Sequence, residues 1–178
     1  HSALPAPVHG GETRQQSVQR GLEALAALPE PPDYVLIHDA ARPFITREAI
    51  TQLIQSLQTH QASLLAAPVH DTLKKVTSNM QVEQTINREG VYRAQTPQAF
   101  HFQPLLALHQ QHADAGFTDD VALMEQQGTP VHIVKGSSAN IKITTMEDLV
   151  QARRYLSATR PHLPTMPVPV VGHGVDVH

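Results

Sequence analysis

The chain contains no cysteine. That absence excludes disulfides and thiolate metal sites, and it is compatible with a reducing compartment. Long apolar runs are also missing: none approaches the roughly 18 residues of a membrane span, and no basic-then-apolar leader opens the chain. The expectation is a soluble, cytoplasmic protein with no membrane partner. Positive charge is scarce, since 13 Lys and Arg against 16 Asp and Glu leave a formal charge of −3. A broad basic field for nucleic acid is thereby excluded, and any phosphate binding has to be local. Charged residues make up only 16% against 40% apolar, a globular balance, and 178 residues suffice for one core and not for two full ones.

Histidine is plentiful, with twelve residues. Most stand in polar stretches such as Gln58-Thr59-His60-Gln61 and His109-Gln110-Gln111-His112, without a ligand grouping such as H-E-x-x-H. Those are read as solvated surface side chains.

Tyr34 to Phe44 reads Y-V-L-I-H-D-A-A-R-P-F, an apolar run ending in an acid, two small residues, an arginine and a proline. It predicts a buried parallel strand that delivers side chains at its carboxyl end, where open α/β sheets place their ligands. Before it, Gly10-Gly11-Glu12-Thr13-Arg14 opens a helix with Val18, Leu22, Leu25 and Ala26 at helical spacing, stopped by Pro29, Pro31 and Pro32. A glycine pair ahead of a helix is either a plain turn or a place for backbone N–H groups to meet a nucleotide. After it, Ile50, Leu53, Ile54 and Leu57 mark a helix capped by Thr46, and Ser63 to Val69 a further strand. Strand, helix and strand read as a βαβ unit, hence a parallel sheet and an α/β fold.

Residues 71–95 change character. Leu73 to Val76 and Val82 to Ile86 flank a Ser78-Asn79 turn, a hairpin with too little apolar surface to stand alone. An ordinary surface hairpin and an arm leaning on another chain are equally open at this point. Helices follow over 104–115 and 119–127, closed by Gly116 and Gly128, with strands at Val131 to Val134 and Asn140 to Thr144. A helix runs from Met146 to Ser157, opened by Thr144 or Thr145 with an acid three residues on. Lys142, between Ile141 and Ile143, is either a site cation or a solvent-exposed one. Beyond Arg160, four prolines in Pro161 to Pro169 define a stiff linker, and the chain ends in G-H-G-V-D-V-H. Asp176 and His178 would share one face of a strand, as two metal ligands would.

Taken together, the motifs resemble the 2-C-methyl-D-erythritol 4-phosphate cytidylyltransferases (IspD). The pieces are G-G-E-T-R-Q-Q-S-V at 10–18, I-H-D-A-A-R-P-F at 37–44, A-A-P-V-H-D-T at 66–72, Asn87-Arg88, Thr96-Pro97-Gln98, Thr118-Asp119-Asp120, and N-I-K-I-T at 140–144 before E-D-L. No single piece is specific; their order and spacing are. The tail resembles the opening strand of the cyclodiphosphate synthase (IspF), so the whole is similar to fused bifunctional enzymes. The division implied is a cytidylyltransferase domain over 1–159, a proline-rich linker over 160–169 and the first strand of a second domain over 170–178.

The resemblance implies a Rossmann-like, doubly wound, mainly parallel sheet with a protruding hairpin arm. It implies transfer of CMP from CTP, with Mg²⁺, to methylerythritol phosphate, releasing pyrophosphate. Gly11, Glu12, Ser17, Asp39 and Ala40 would hold the nucleotide. Arg42, Thr72, Arg88 and Lys142 would hold the acceptor, with Asp39, Arg42 and Lys142 at the reacting centre. Thr72 and Arg88 would serve the neighbouring subunit of a homodimer clasped through residues 71–95, and Asp176 and His178 would be part of a zinc or similar site in the second domain. Ribitol 5-phosphate is the rival acceptor, and a non-catalytic dimerising domain the rival class. The family's first strand and its glycine-rich phosphate loop, of the kind A-A-G-x-G-x-R, are expected before residue 1, which predicts that these 178 residues alone are inactive.

Overall fold

A computed structural model describes residues 6–112, 116–117 and 119–159. Its elements are α1 (Arg14–Ala26), β1 (Tyr34–Ile37), α2 (Arg47–Ser56), β2 (Ala62–Pro68), β3 (Leu73–Val76), β4 (Val82–Ile86), β5 (Tyr92–His101), α3 (Phe102–Gln111), α4 (Asp120–Gln126), β6 (Val131–Lys135) and α5 (Met146–Thr159). The main sheet has the order β1-β5-β2-β6, and β3 and β4 form a separate ribbon. The proline-rich segment and the tail with Asp176 and His178 lie outside the described residues.

Side-chain alternation explains the layering. On β2, Ala62, Leu64 and Ala66 join Leu22, Phe102, Leu105, Leu106, Val121 and Met124 on the face covered by α1, α3 and α4. Leu65 points the other way, toward Leu53, Leu57, Ala99 and Val134 under α2. A strand buried on both faces reads as a continuous apolar run, which is how β2 appears in the sequence. The α/β class and the two-sided covering agree with the sequence-based expectation.

The pairing needs a correction. β1, β2 and β6 run in one direction, but β5 lies between β1 and β2 and is antiparallel to both. Among the described residues, the parallel pair is β2 with β6. The sheet is therefore mixed, and β1-α2-β2 crosses over β5 rather than joining adjacent strands. Ten-residue β5 is longer than the other strands described, and its burial is graded along its length: its first three residues are exposed and its next six buried. No two-residue alternation signals such a strand.

A second correction concerns residues 140–144, which form no strand. Ile143 N–H donates to Ala41 O at 2.8 Å, and the Arg42 guanidinium donates to Asn140 O at 2.9 Å. The segment is an extended strap tied to the loop after β1 instead of a sheet ladder. Its β-branched composition reads as a strand, but its backbone is tied to that loop and not to a neighbouring strand. The helix that follows opens as expected: Thr145 Oγ1 accepts from Asp148 N–H at 3.2 Å, and Asp148 Oδ2 accepts from Thr145 N–H at 2.9 Å, a reciprocal cap.

The third correction is His109, expected at the surface and found fully buried. Phe102, Leu105, Leu106 and His109 are the buried residues of α3, at the spacing of one helical stripe. The local polar sequence concealed that periodicity.

Candidate active site

The loop after β1 is held rigid before any ligand is considered. Arg42 N–H donates to Asp39 O at 3.0 Å. His38 Nε2–H donates to Arg42 O at 2.9 Å, which leaves Nδ1 to accept the Thr96 hydroxyl at 3.0 Å. Thr96 Oγ1 in turn accepts from Asp39 N–H at 2.9 Å. The D-A-A-R-P segment is thus a turn whose backbone is bound to itself and to β5.

That turn presents Asp39 to two cations. Its Oδ2 stands 3.5 Å from Arg42 Nε and 3.3 Å from Lys142 Nζ. The Asp39 and Arg42 side chains are 20% and 14% exposed while Lys142 is 48% exposed, so the first two are framework and the lysine reaches into solvent. The strap places the Lys142 ammonium beside Asp39, after the carboxyl end of β1, while leaving it half exposed.

Two connected clefts meet at this cluster. The larger, about 490 Å³, is lined by Arg42, Arg93, Gln95, Asn140, Lys142 and Asp148 among others. The smaller, about 150 Å³, includes Arg14, Asp39, Thr96, Gln98, Asp119 and Lys142. The larger falls in the size range of small-molecule sites. It is polar and basic around the cations, as a pocket for phosphate groups has to be.

A bulge in β5 supplies part of this lining. Between the pairs Leu64–Gln98 and Ala66–Ala94 the chain advances two residues on β2 and four on β5. The extra residues sit at Gln95 to Pro97, and such a bulge re-aims side chains beside a site. Gln95 Nε2 donates to Ser137 O at 2.8 Å, and Asn140 Nδ2 donates to Thr96 O at 2.9 Å. Gly136 suits this close packing, because a Cβ on it would collide with Gln95 Oε1. Gln95, Asn140, Arg14 and Asp119 were absent from the sequence-based site. Their motifs were visible, but it takes the bulge for Gln95, the strap for Asn140, the start of α1 for Arg14 and the start of α4 for Asp119 to bring them to one place.

The glycine loop before α1 lies three residues upstream of Arg14. Gly11 N–H donates to Ser17 Oγ at 3.0 Å, and Glu12 N–H to Gln16 Oε1 at 2.9 Å. Thr13 caps the helix through Gln16 N–H at 3.1 Å. Gly11 is required, since a Cβ on it would collide with that of Gln16. The loop edges the smaller cleft through Arg14, while its N–H groups are engaged within the loop itself.

Thr72 and Arg88 are not brought to the cleft within this chain. Both are exposed beside the β3-β4 ribbon, and the Arg88 guanidinium donates to His70 O. Ala40 lies in the turn between Asp39 and Arg42.

Behind Arg14 lies a buried acid. The Arg14 guanidinium donates to Asp120 Oδ2 at 2.7 Å, and His109 Nε2–H donates to Asp120 Oδ1 at 2.9 Å. Burial alone would raise the Asp120 pKa, but the His109 hydrogen bond together with the Arg14 charge and hydrogen bond hold it below the ordinary carboxylate value. Among the described residues, no cluster of three His, Cys, Asp or Glu side chains is placed to hold a metal ion.

Known proteins resemble this chain in sequence and in fold. The sequence profile of the family "IspD: 2-C-methyl-D-erythritol 4-phosphate cytidylyltransferase" matches residues 5–158. The "Bifunctional enzyme IspD/IspF" of Gluconobacter oxydans is 49% identical over 172 residues, covering 97% of this chain and 42% of that protein. The protein of the same description from Granulibacter bethesdensis is 48% identical over 171 residues, 96% of this chain and 43% of its own length. The chain thus spans about two-fifths of the length of these relatives. Among solved structures, the 2-C-methyl-D-erythritol 4-phosphate cytidylyltransferase of Thermus thermophilus superposes with a TM-score of 0.75 at 33% identity, covering 86% of this chain and 77% of that one. The bifunctional IspDF of Campylobacter jejuni gives 0.67 at 26% identity, over 81% of this chain and 36% of that chain.

Proposed function

The chain belongs to the 2-C-methyl-D-erythritol 4-phosphate cytidylyltransferase family, and from that premise we propose that it forms the acceptor and reaction-centre part of an enzyme transferring CMP from CTP to 2-C-methyl-D-erythritol 4-phosphate. The observation that carries the reading is the Asp39 carboxylate bracketed by Arg42 and Lys142 at the mouth of a basic cleft. An oxygen of the acceptor's phosphate attacks the α-phosphorus of CTP. The bond from that phosphorus to the bridging oxygen breaks, and pyrophosphate leaves with the electron pair.

Charge accumulates around the α-phosphate as this happens, and two polyanions have to approach each other. Lys142, half exposed, is the mobile cation for the reacting phosphates, and Arg42, anchored on Asn140 O, is the fixed one. Asp39 aims both and sets their separation. Gly11, Glu12 and Ser17 hold the nucleotide's base and sugar in this scheme, and Ala40 lines the seam between nucleotide and acceptor with Asp39 and Arg42. A Mg²⁺ ion held mainly by substrate phosphates would need only one or two carboxylates and no preformed protein cage; Asp39 would be the carboxylate to hold it, and the ion would neutralise part of the triphosphate charge.

Thr72 and Arg88 serve the cleft of a second copy, and the ribbon is the clasp of a homodimer. Support comes from the ribbon's exposed apolar residues: Val76 is 45% exposed, Met80 81% and Val82 62%, on a two-stranded sheet that gains little stability by itself. A second domain after the proline-rich linker, with Asp176 and His178 toward its zinc, is supported by the bifunctional relatives. A match over 97% of 178 residues leaves about five outside it, so it runs past residue 158 into the tail.

The test is pyrophosphate release by the full-length protein with CTP and Mg²⁺, comparing methylerythritol phosphate with ribitol 5-phosphate. Turnover with the first and not the second supports the reading. Preference for ribitol 5-phosphate changes the acceptor, and no turnover with no saturable CTP heat in calorimetry makes the chain a dimerising scaffold.

A further inference from the structure

Arg14 and the buried groups behind it are unused by the scheme above. Arg14 is the first residue of α1, and its side chain, 36% exposed, lines the smaller cleft with Asp39, Arg42 and Lys142. Its anchor Asp120 is only 1% exposed and is the first residue of α4. His109 on α3 is fully buried and supports the acid's other oxygen at 2.9 Å. Gln98 on β5 accepts from the Asp120 and Val121 N–H groups at 3.2 and 3.3 Å, and its Nε2 donates to Asp119 Oδ2 at 3.0 Å. Three helices and the central strand therefore converge on one guanidinium at the cleft wall.

Such an arrangement is expensive for stability alone. A buried carboxylate loses its hydration, and an apolar residue of similar volume often serves a core as well or better. His109 Nδ1 is moreover left in the interior without a hydrogen-bond partner, a further cost that packing does not require. What the network achieves is orientation: with both Asp120 oxygens committed, the guanidinium is held in one place beside the Asp39 cluster.

We propose that Arg14 is a third phosphate-facing cation of the site, and that Asp120, backed by His109, is its positioning residue. This rests on the cytidylyltransferase reading and extends it. Arg14 reaches the cleft from α1, directly after the glycine loop assigned to the nucleotide, and not from the strap that carries Lys142, so its loss should fall on CTP. A merely structural triad would instead lower stability and leave the kinetic constants of the folded enzyme alone.

The experiment is a double-mutant cycle in the full-length protein, reading kcat/KM for CTP, kcat/KM for the acceptor, and thermal unfolding. Arg14→Ala is expected to lower kcat/KM for CTP by about 10²-fold, and Asp120→Asn by about 10-fold. The double variant should be no worse than Arg14→Ala alone, because Asp120 acts only through Arg14. Arg14→Lys, which keeps the charge but loses the fork, should restore part of the loss. Multiplicative losses in the double variant, or Arg14→Ala within twofold of the parent, would overturn the proposal. Should Asp120→Asn not fold, His109→Gln takes its place in the cycle with the same criteria. A parent enzyme that does not turn over CTP defeats the underlying reading instead, and the two failures are distinguishable.

Discussion

Asp39 engages Arg42 and Lys142 through a single oxygen, Oδ2, and this geometry separates framework from chemistry at the level of single residues. Lys142 is half exposed, so its removal should hardly affect folding. Lys142→Ala is expected to reduce kcat by about 10²-fold or more, the usual consequence of losing one preorganised charge at a transition state, with an unchanged melting temperature as the control. Asp120 makes a different prediction. Its folded pKa is depressed from 3.8, so its contribution is present above the unfolded value and is lost as pH falls through the folded one. Acid unfolding as pH falls below the ordinary carboxylate value of 3.8 should therefore be less steep in Asp120→Asn than in the parent, as followed by circular dichroism.

Elements behave according to their ends and irregularities. The reciprocal Thr145–Asp148 cap starts α5 immediately after the strap that carries Lys142. Thr145→Ala should cost about 1 kcal/mol in urea unfolding, and by loosening the strap it should raise KM more than a cap elsewhere would; Thr46→Ala at α2 is the comparison. The β5 bulge is the other device, placing Gln95 and Thr96 toward the cleft while Ala99 and Phe100 stay in the two cores. The β3-β4 ribbon is mostly exposed in this chain, and its proposed role as a dimer clasp can be tested by complementation. Mixing an Arg88→Ala chain with a Lys142→Ala chain should recover about a quarter to a half of the parent activity if acceptor binding is shared between copies; no recovery would rule out a shared site.

On the scale of the molecule, the two cores make α1 to α4 and the main sheet a three-layer support for one rim, where the loop after β1, the β5 bulge, the strap and α1 meet. Of the cations at that rim, Arg14, Arg42 and Lys142 come from different parts of the chain. The resemblance calls for a further glycine-rich phosphate loop that the 178 residues do not contain. We therefore predict that this polypeptide alone releases little or no pyrophosphate under conditions where the full-length protein turns over, with robust turnover by the isolated chain as the contrary result.

Local patterning determined the α/β class, the helices over α1, α2 and α5 with the caps of the latter two, and the strand that leads into Asp39, because period and end chemistry are carried by neighbouring residues. The same locality made His109 look solvated, residues 140–144 look like a strand, and β5 invisible. Those were decided by tertiary structure. Burial of His109 depends on α1 and α4 closing over α3, the strap depends on a hydrogen bond between Ile143 and Ala41, and the bulge depends on register with β2. Apart from α4, which follows α3 directly, these partners are distant in sequence, so no short window along the chain contains them; the convergence of Arg14, Asp39 and Lys142 on one cleft is settled only when the sheet and its helices are assembled.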